Sequence, residues 1–169
     1  MARIYVSEEQ LKKLQKDLED ATNNLSSLRK EKNLAYTASG DTWHDNPYFN
    51  KLMQDEENLA RKIIEIQQTI SGAEIYNPSL RNVEQVRLGS IVRFIRRYHK
   101  NGEETIETWE IVGFGETDVS RNHVAYNAPL GMTLIGMKPG DTKQATTPKG
   151  AVEYEIIDLY PDWNVVPKE

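Results

Sequence analysis

The sequence has no cysteine, only three histidines, and aromatic residues at just 8% of its 169 positions. Without cysteine there are no disulfides, no thiolate zinc sites and no cysteine nucleophile, which fits a reducing compartment. His44, His99 and His123 lie far apart, which disfavours a histidine-based metal site. No apolar run approaches the roughly 18 residues that a membrane-spanning helix needs, and the mean hydropathy is -0.67. The opening "MARIYVSEEQ" lacks the apolar stretch of a signal peptide. A soluble cytoplasmic protein with no membrane partner is therefore expected. Basic excess is missing as well. Lys and Arg number 21 against 26 Asp and Glu, for a net charge of -5. A general nucleic-acid binder needs cationic surface, so that class is disfavoured. Nor is there a P-loop, a dinucleotide fingerprint or a nucleophile triad pattern. Gly113 and Gly115 in "GFG" are too isolated to cradle a phosphate.

What is present begins with a repeat. Leu11, Leu14, Leu18, Ala21, Leu25 and Leu28 alternate spacings of three and four, and Lys32 and Ala35 continue the register with one polar break. This is the narrow seam of a coiled-coil helix. Ser7 with Gln10 three residues later forms a capping-box pattern, and Val6 with Leu11 fits a hydrophobic staple. A second seam runs through Leu52, Glu56, Leu59, Ile63, Ile66, Ile70 and Ala73. Asn46 is suited to N-cap this helix and Pro47 to open it. Each helix should span roughly 28–32 residues, about 45 Å at 1.5 Å per residue. The short linker makes them antiparallel neighbours. Residues 1–76 thus read as a coiled-coil hairpin with an acidic tip at 39–46, "SGDTWHDN". Arg29, Lys30 and Lys32 form either a basic patch that guides RNA or a solvated helix face.

Residues 77–85 read as a connector, and from 86 onward the period changes to two. In "SIVRFIRRYH", Val92, Phe94, Arg96 and Tyr98 alternate with Ile91, Arg93, Ile95 and Arg97. "KNGE" signals a hairpin turn into "TIETWEIVG". "HVAY", "TKQATT" and "AVEYEIIDLY" supply further strands, and "PLGMTLIG" a short helix. The fold class is therefore α+β, with an antiparallel sheet domain over 86–169. Trp109 is expected in its core and His123 at a strand edge.

Several segments together resemble the bacterial Gre-type transcript cleavage factors, GreA and GreB. They are "VRLGSIVRF", "EIVGFGETDVSRNHVAYNAPLGMTLIGMKPGD" and "TPKGAVEYEIIDL", with "SGDTWHDNPYF" in the place of the family's tip motif. The resemblance covers nearly the whole chain. It implies a hairpin followed by an FKBP-like domain, and RNA polymerase as partner. It further implies that the hairpin enters the polymerase secondary channel and that tip acids assist cleavage of backtracked RNA. No cofactor is then held by the chain alone. Magnesium belongs to the polymerase active site, near the 3′ end of nascent RNA, and the factor is expected to act as a monomer rather than as an enzyme itself. Asp41 matches the first tip acid and Tyr48 the tip tyrosine. Asp45 stands one residue later than the expected glutamate, whose ungapped position holds His44. Asp41 and Asp45 are the implied carboxylates, shared with the magnesium. Asn127 and Pro129 in "YNAPLGMTLIG" are the implied polymerase-anchoring residues. Two other functions are open: a Gre-like homologue that occupies the channel and modulates or inhibits polymerase without stimulating cleavage, and a peptidyl-prolyl isomerase or chaperone.

Overall fold

Leucine and isoleucine spacing produces two helices where the pattern places them, α1 (Glu8–Ser39) and α2 (Pro47–Ser71). A computed structural model describes residues 3–77, 79, 81–100 and 102–167, with residues 41 and 42 described by their backbone alone. Helix α1 has 32 residues, whereas α2 has 25 and is shorter than expected because Gly72 caps it, its N–H donating to Gln68 O at 3.1 Å. Every residue of both expected seams is at least half-buried, while the intervening positions are largely exposed. Ala21, Ala35, Leu52 and Ile66 are the most enclosed of them. The helices run antiparallel, since Lys32 meets Glu56 while Ala35 packs with Leu52 and Phe49 nearer the turn.

The rest of the chain builds a five-stranded sheet. In chain order its strands are β3 (Ile91–Tyr98), β4 (Glu104–Val112), β5 (His123–Ala125), β6 (Thr142–Thr147) and β7 (Gly150–Tyr160), preceded by two short strands, β1 (Ile4–Val6) and β2 (Ala73–Ile75), that pair with each other. The spatial order is β5-β4-β3-β7-β6. The pairings β3–β4, β3–β7 and β6–β7 are antiparallel, as expected. The β4–β5 pair is parallel, so the sheet is mixed. The reason lies in residues 113–122. They are too long and too structured for a hairpin, and they return the chain so that Glu110 lies beside His123 and Val112 beside Ala125. The short helix α3 (Pro129–Leu134) covers one end of the sheet face formed by Val92, Phe94, Tyr154 and Ile156. Gly131 permits this approach: a Cβ there would stand 2.3 Å from Ala125 O. Trp109 is half-buried against this core.

The chain divides into two compact units. One is Glu9–Ala73, and the other joins Ile4–Glu8 to the chain from Glu74 onward. Residues 4–8 and 74–85, read from sequence as hairpin root and connector, thus belong with the sheet. Glu116 holds them there. Its carboxylate accepts the Ser7 N–H at 3.0 Å, the Ser7 hydroxyl, the Tyr76 hydroxyl at 3.2 Å and the Gly113 N–H at 2.7 Å. Val6 is fully buried. Gly113 is glycine for packing: a Cβ would meet Tyr5 O and the Tyr76 ring at 2.9 Å. Burial and the neighbouring Glu116 carboxylate raise the Tyr76 phenol well above its ordinary pKa, so it stays a donor. Arg81, in the second part of the expected connector, is tied down too, since it reaches the buried Glu110 at 2.9 Å. Glu110 also accepts the Trp163 indole N–H at 2.7 Å.

Candidate functional site

The hairpin turn is a single piece of 3-10 helix, Gly40–Asp45, rather than an irregular loop. Gly40 starts it with φ 53, a left-handed conformation that glycine adopts at no steric cost. Asn46 closes it. Its side-chain oxygen accepts from Tyr48 N at 2.9 Å and Phe49 N at 3.3 Å, capping α2 as the sequence suggests, with Pro47 in the first helical turn. The amide nitrogen of the same side chain donates to Ser39 Oγ at 2.6 Å, on the last residue of α1. One asparagine therefore bridges the end of one helix and the start of the next. Asn50 adds a bond to His44 O at 3.2 Å.

Beneath the turn lies an aromatic cluster. Trp43 meets Phe49 edge-on at 5.3 Å and Tyr36 at 5.8 Å, and the His44 ring stands 4.7 Å from Trp43. Phe49 is only 6% exposed and packs with Ala35 and Leu52. The tryptophan and histidine that stand out in this turn thus divide their roles. Trp43 is the turn's own small core, and His44 is exposed on its edge. Tyr48 is half-exposed and its hydroxyl donates to Glu31 on α1, which raises its pKa.

Asp45 is exposed and makes no side-chain hydrogen bond or ion pair among the described residues. Nothing in the turn uses its charge. Asp41 is the second residue of the same 3-10 segment, and its side chain lies outside those described. Among the described residues, no group of three acids or histidines gathers to hold a metal.

One heptad below the turn, the two polar residues of the seams face each other. Lys32 Nζ and Glu56 Oε2 form an ion pair, and Arg29 Nε donates to Glu56 Oε1 at 2.7 Å. The Lys32 hydrogen bond, then that of Arg29, holds the Glu56 carboxyl below its ordinary range. Two of the three cations of the possible basic patch are thus engaged within the hairpin. The seam spacing placed Lys32 and Glu56 inside but gave no sign that they would meet. A slip by one heptad would leave both without a partner, so the pair specifies register.

On the sheet unit, Asn127 and Pro129 sit together on a turn. Ala128 N donates to Ala125 O at 2.9 Å, which puts the exposed Asn127 inside the turn, and Pro129 opens α3. Met132 and Ile135 follow on the same short segment and are both exposed, an apolar pair that periodicity could not single out in six residues of helix. His123 lies on the edge strand β5, as expected, with Nε2 at 3.8 Å from Glu110 Oε2. No helix among the described residues is long and apolar enough to cross a membrane.

Comparison with known proteins adds the following. Residues 81–161 match the family described as "Transcription elongation factor, GreA/GreB, C-term". A transcription elongation factor GreA from Acidiphilium cryptum is 30% identical over 113 residues, covering 67% of this chain and 69% of that protein. The GreA of a Thermotoga species is 29% identical over 157 residues, covering 93% of this chain and 97% of its own. The crystal structure of GreA factor homolog 1 (Gfh1) of Thermus thermophilus aligns at 21% identity with a TM-score of 0.43, over 94% of this chain and 99% of that one.

Proposed function

The chain belongs to the GreA/GreB family of transcription elongation factors, and on that premise we propose that it binds RNA polymerase, inserts its hairpin into the secondary channel and stimulates cleavage of backtracked RNA. The observation that carries this reading is Asp45. It is an exposed, unpaired carboxylate on a turn held rigid by the Trp43–Phe49 contact and the Asn46 bridge. A carboxylate with no internal partner breaks no internal bond when it turns toward an external cation, and a stiff turn limits the entropy lost in placing it. In the complex, Asp45 and Asp41 would help to hold the polymerase's Mg²⁺, and that ion would supply charge stabilisation to the reacting oxygens. The work of this chain is delivery. The Asn46 bridge and the aromatic cluster orient the turn, and the Lys32–Glu56 pair sets how far each helix extends past the other. Asn127 and Pro129, with Met132 and Ile135 beside them, form the anchoring surface on polymerase.

The position of Asp45 supports a second reading. It stands one residue after the family's glutamate position, which His44 occupies, and its side chain is one methylene shorter. A carboxylate displaced in this way gives a factor that occupies the channel and restrains polymerase without promoting cleavage.

Cleavage of backtracked complexes at saturating factor decides between them, with binding measured separately. Under the first reading, Asp45→Asn and Asp41→Asn each bind normally and lower the cleavage rate more than tenfold, a barrier increase above about 1.4 kcal/mol. Added Mg²⁺ then restores part of the rate. Wild-type factor that binds but never accelerates cleavage establishes the second reading. Pro129→Ala with Met132→Ser should weaken binding while leaving the saturated rate unchanged.

A further inference from the structure

The peptide groups on either side of Asp45 are both tied. The one after it donates its Asn46 N–H to Trp43 O at 3.2 Å, a backbone bond within the 3-10 turn. The one before it presents His44 O to the side chain of Asn50, whose Nδ2 donates at 3.2 Å. A peptide group is planar, so fixing the planes on both sides of a residue fixes its backbone torsions, and with them the direction of its Cα–Cβ bond. The freedom left to Asp45 is rotation about the bonds of a short side chain, which has no partner among the described residues.

The two ties differ in origin. A 3-10 turn has poorer hydrogen-bond geometry than an α-helix, and a bond inside the turn moves with the turn. Asn50 belongs to the first turn of α2 instead, where its backbone N–H donates to Asn46 O at 3.1 Å. Its neighbour Phe49 is buried against Ala35 of α1, which seats this end of the helix. Asn50 therefore refers the His44–Asp45 peptide to a rigid element. Its own side chain is exposed and buries nothing. Asparagine is also a poorer helix former than alanine, so what this residue adds to α2 is the bond back to the turn.

We propose that Asn50 is the positioning residue for Asp45: through the His44–Asp45 peptide it sets the direction in which the carboxylate leaves the turn. The inference rests on the delivery role proposed above and names a residue outside the turn on which that role depends. Asn46 joins the helix ends and the aromatic cluster supports the turn from beneath, whereas Asn50 acts on the peptide group next to the acid. The aspartate side chain is short, so an error in backbone direction cannot be recovered by a change of rotamer.

The test is ¹⁵N relaxation of the full chain, read at the Asp45 amide, whose N–H belongs to the peptide that Asn50 holds. Wild type should give an order parameter near about 0.85, and Asn50→Ala should bring it below about 0.6. Alanine favours the helix, so the urea midpoint of the helical circular dichroism should not fall. Asn50→Asp keeps the shape but faces the carbonyl with an acceptor, and should loosen Asp45 as well. An Asp45 amide already mobile in wild type, or rigid in both variants, would overturn the proposal. So would a fall in the urea midpoint with Asp45 still rigid, which is what a merely stabilising bond predicts. On backtracked complexes at saturating factor, Asn50→Ala should lower the cleavage rate about fivefold or more while binding is unchanged. A loosened Asp45 with an unchanged rate also overturns it. Wild-type factor that binds but never accelerates cleavage removes the delivery role instead, and the order parameters, measured without polymerase, still decide whether Asn50 holds Asp45.

Discussion

The hairpin and the sheet unit each hold a carboxylate among cations or donors, and they do so in opposite ways. Glu56 lies across a two-helix seam, 18% exposed, with Lys32 and Arg29 as partners from one neighbouring helix. Glu110 lies inside the sheet unit, 7% exposed, and gathers Arg81 from before the sheet and Trp163 from after it. The difference follows from dimensionality. Two helices have one line of contact, so their core is a thin row and any polar group in it stays near water. A sheet with a helix on one face encloses Phe94, Ile111, Leu134 and Ile156 completely. The hairpin therefore gains definition from register and caps, whereas the sheet unit gains stability from depth. Under the proposed function, delivering a side chain to a partner calls for the first and anchoring calls for the second.

The largest expected effect tests depth. Phe94 is fully buried against Tyr154, with ring centres 5.7 Å apart. Phe94→Ala should cost the sheet unit about 3–5 kcal/mol, the usual range for a buried phenylalanine. Urea unfolding followed by the amide NMR signals of the sheet strands should show it, while the helical circular dichroism of the hairpin survives to higher denaturant. Loss of both signals in one concerted transition would break the comparison. Phe49→Ala asks the same of the hairpin's small core. A shallow site collapses more easily, so about 2–3 kcal/mol is expected, read from the helical signal with the sheet unit unchanged.

Smaller effects sharpen the contrast at the turn. Asn46→Ala removes the α2 cap and the bridge to Ser39 together, and should cost about 1 kcal/mol. Its effect on polymerase-linked cleavage should exceed what that loss of stability explains, since the hairpin stays folded while the turn is no longer held.

The smallest effect has a pH signature. The folded-state pKa of Glu56 is depressed, so its contribution is present above the ordinary carboxylate pKa and is lost as pH falls through the lowered value. Because the pair is partly solvent-screened, Glu56→Gln should cost only about 0.5 kcal/mol at neutral pH. The difference from wild type should vanish in acid. A constant difference across the acid range would mean that the ion pair contributes nothing.

The hairpin was almost fully legible from sequence, because its rule is local. Three- and four-residue spacings place Leu11 to Ala35 and Leu52 to Ala73 on facing stripes, and Asn46-Pro47 announces the helix start. The strands from Ile91 to Tyr160 were legible for the same reason, since alternation is a property of neighbours in the chain. The position of the acids Asp41 and Asp45 at the turn came with them. What could not be read were the meetings between distant residues. Lys32 and Glu56 are each a break in a pattern until the helices pair. Glu116 finds Ser7 and Tyr76 only because β1 and β2 join the sheet unit, and β5 runs parallel to β4 only because residues 113–122 carry the chain back. Arg96 reads as one more alternating residue, yet the fold lays its guanidinium over the Phe94 and Tyr154 rings and pairs it with Glu107. Sequence determined each element and the face it buries, because periodicity is set along the chain. Tertiary structure alone decided which polar groups found partners and which did not, because that depends on approaches across tens of residues that no local pattern encodes.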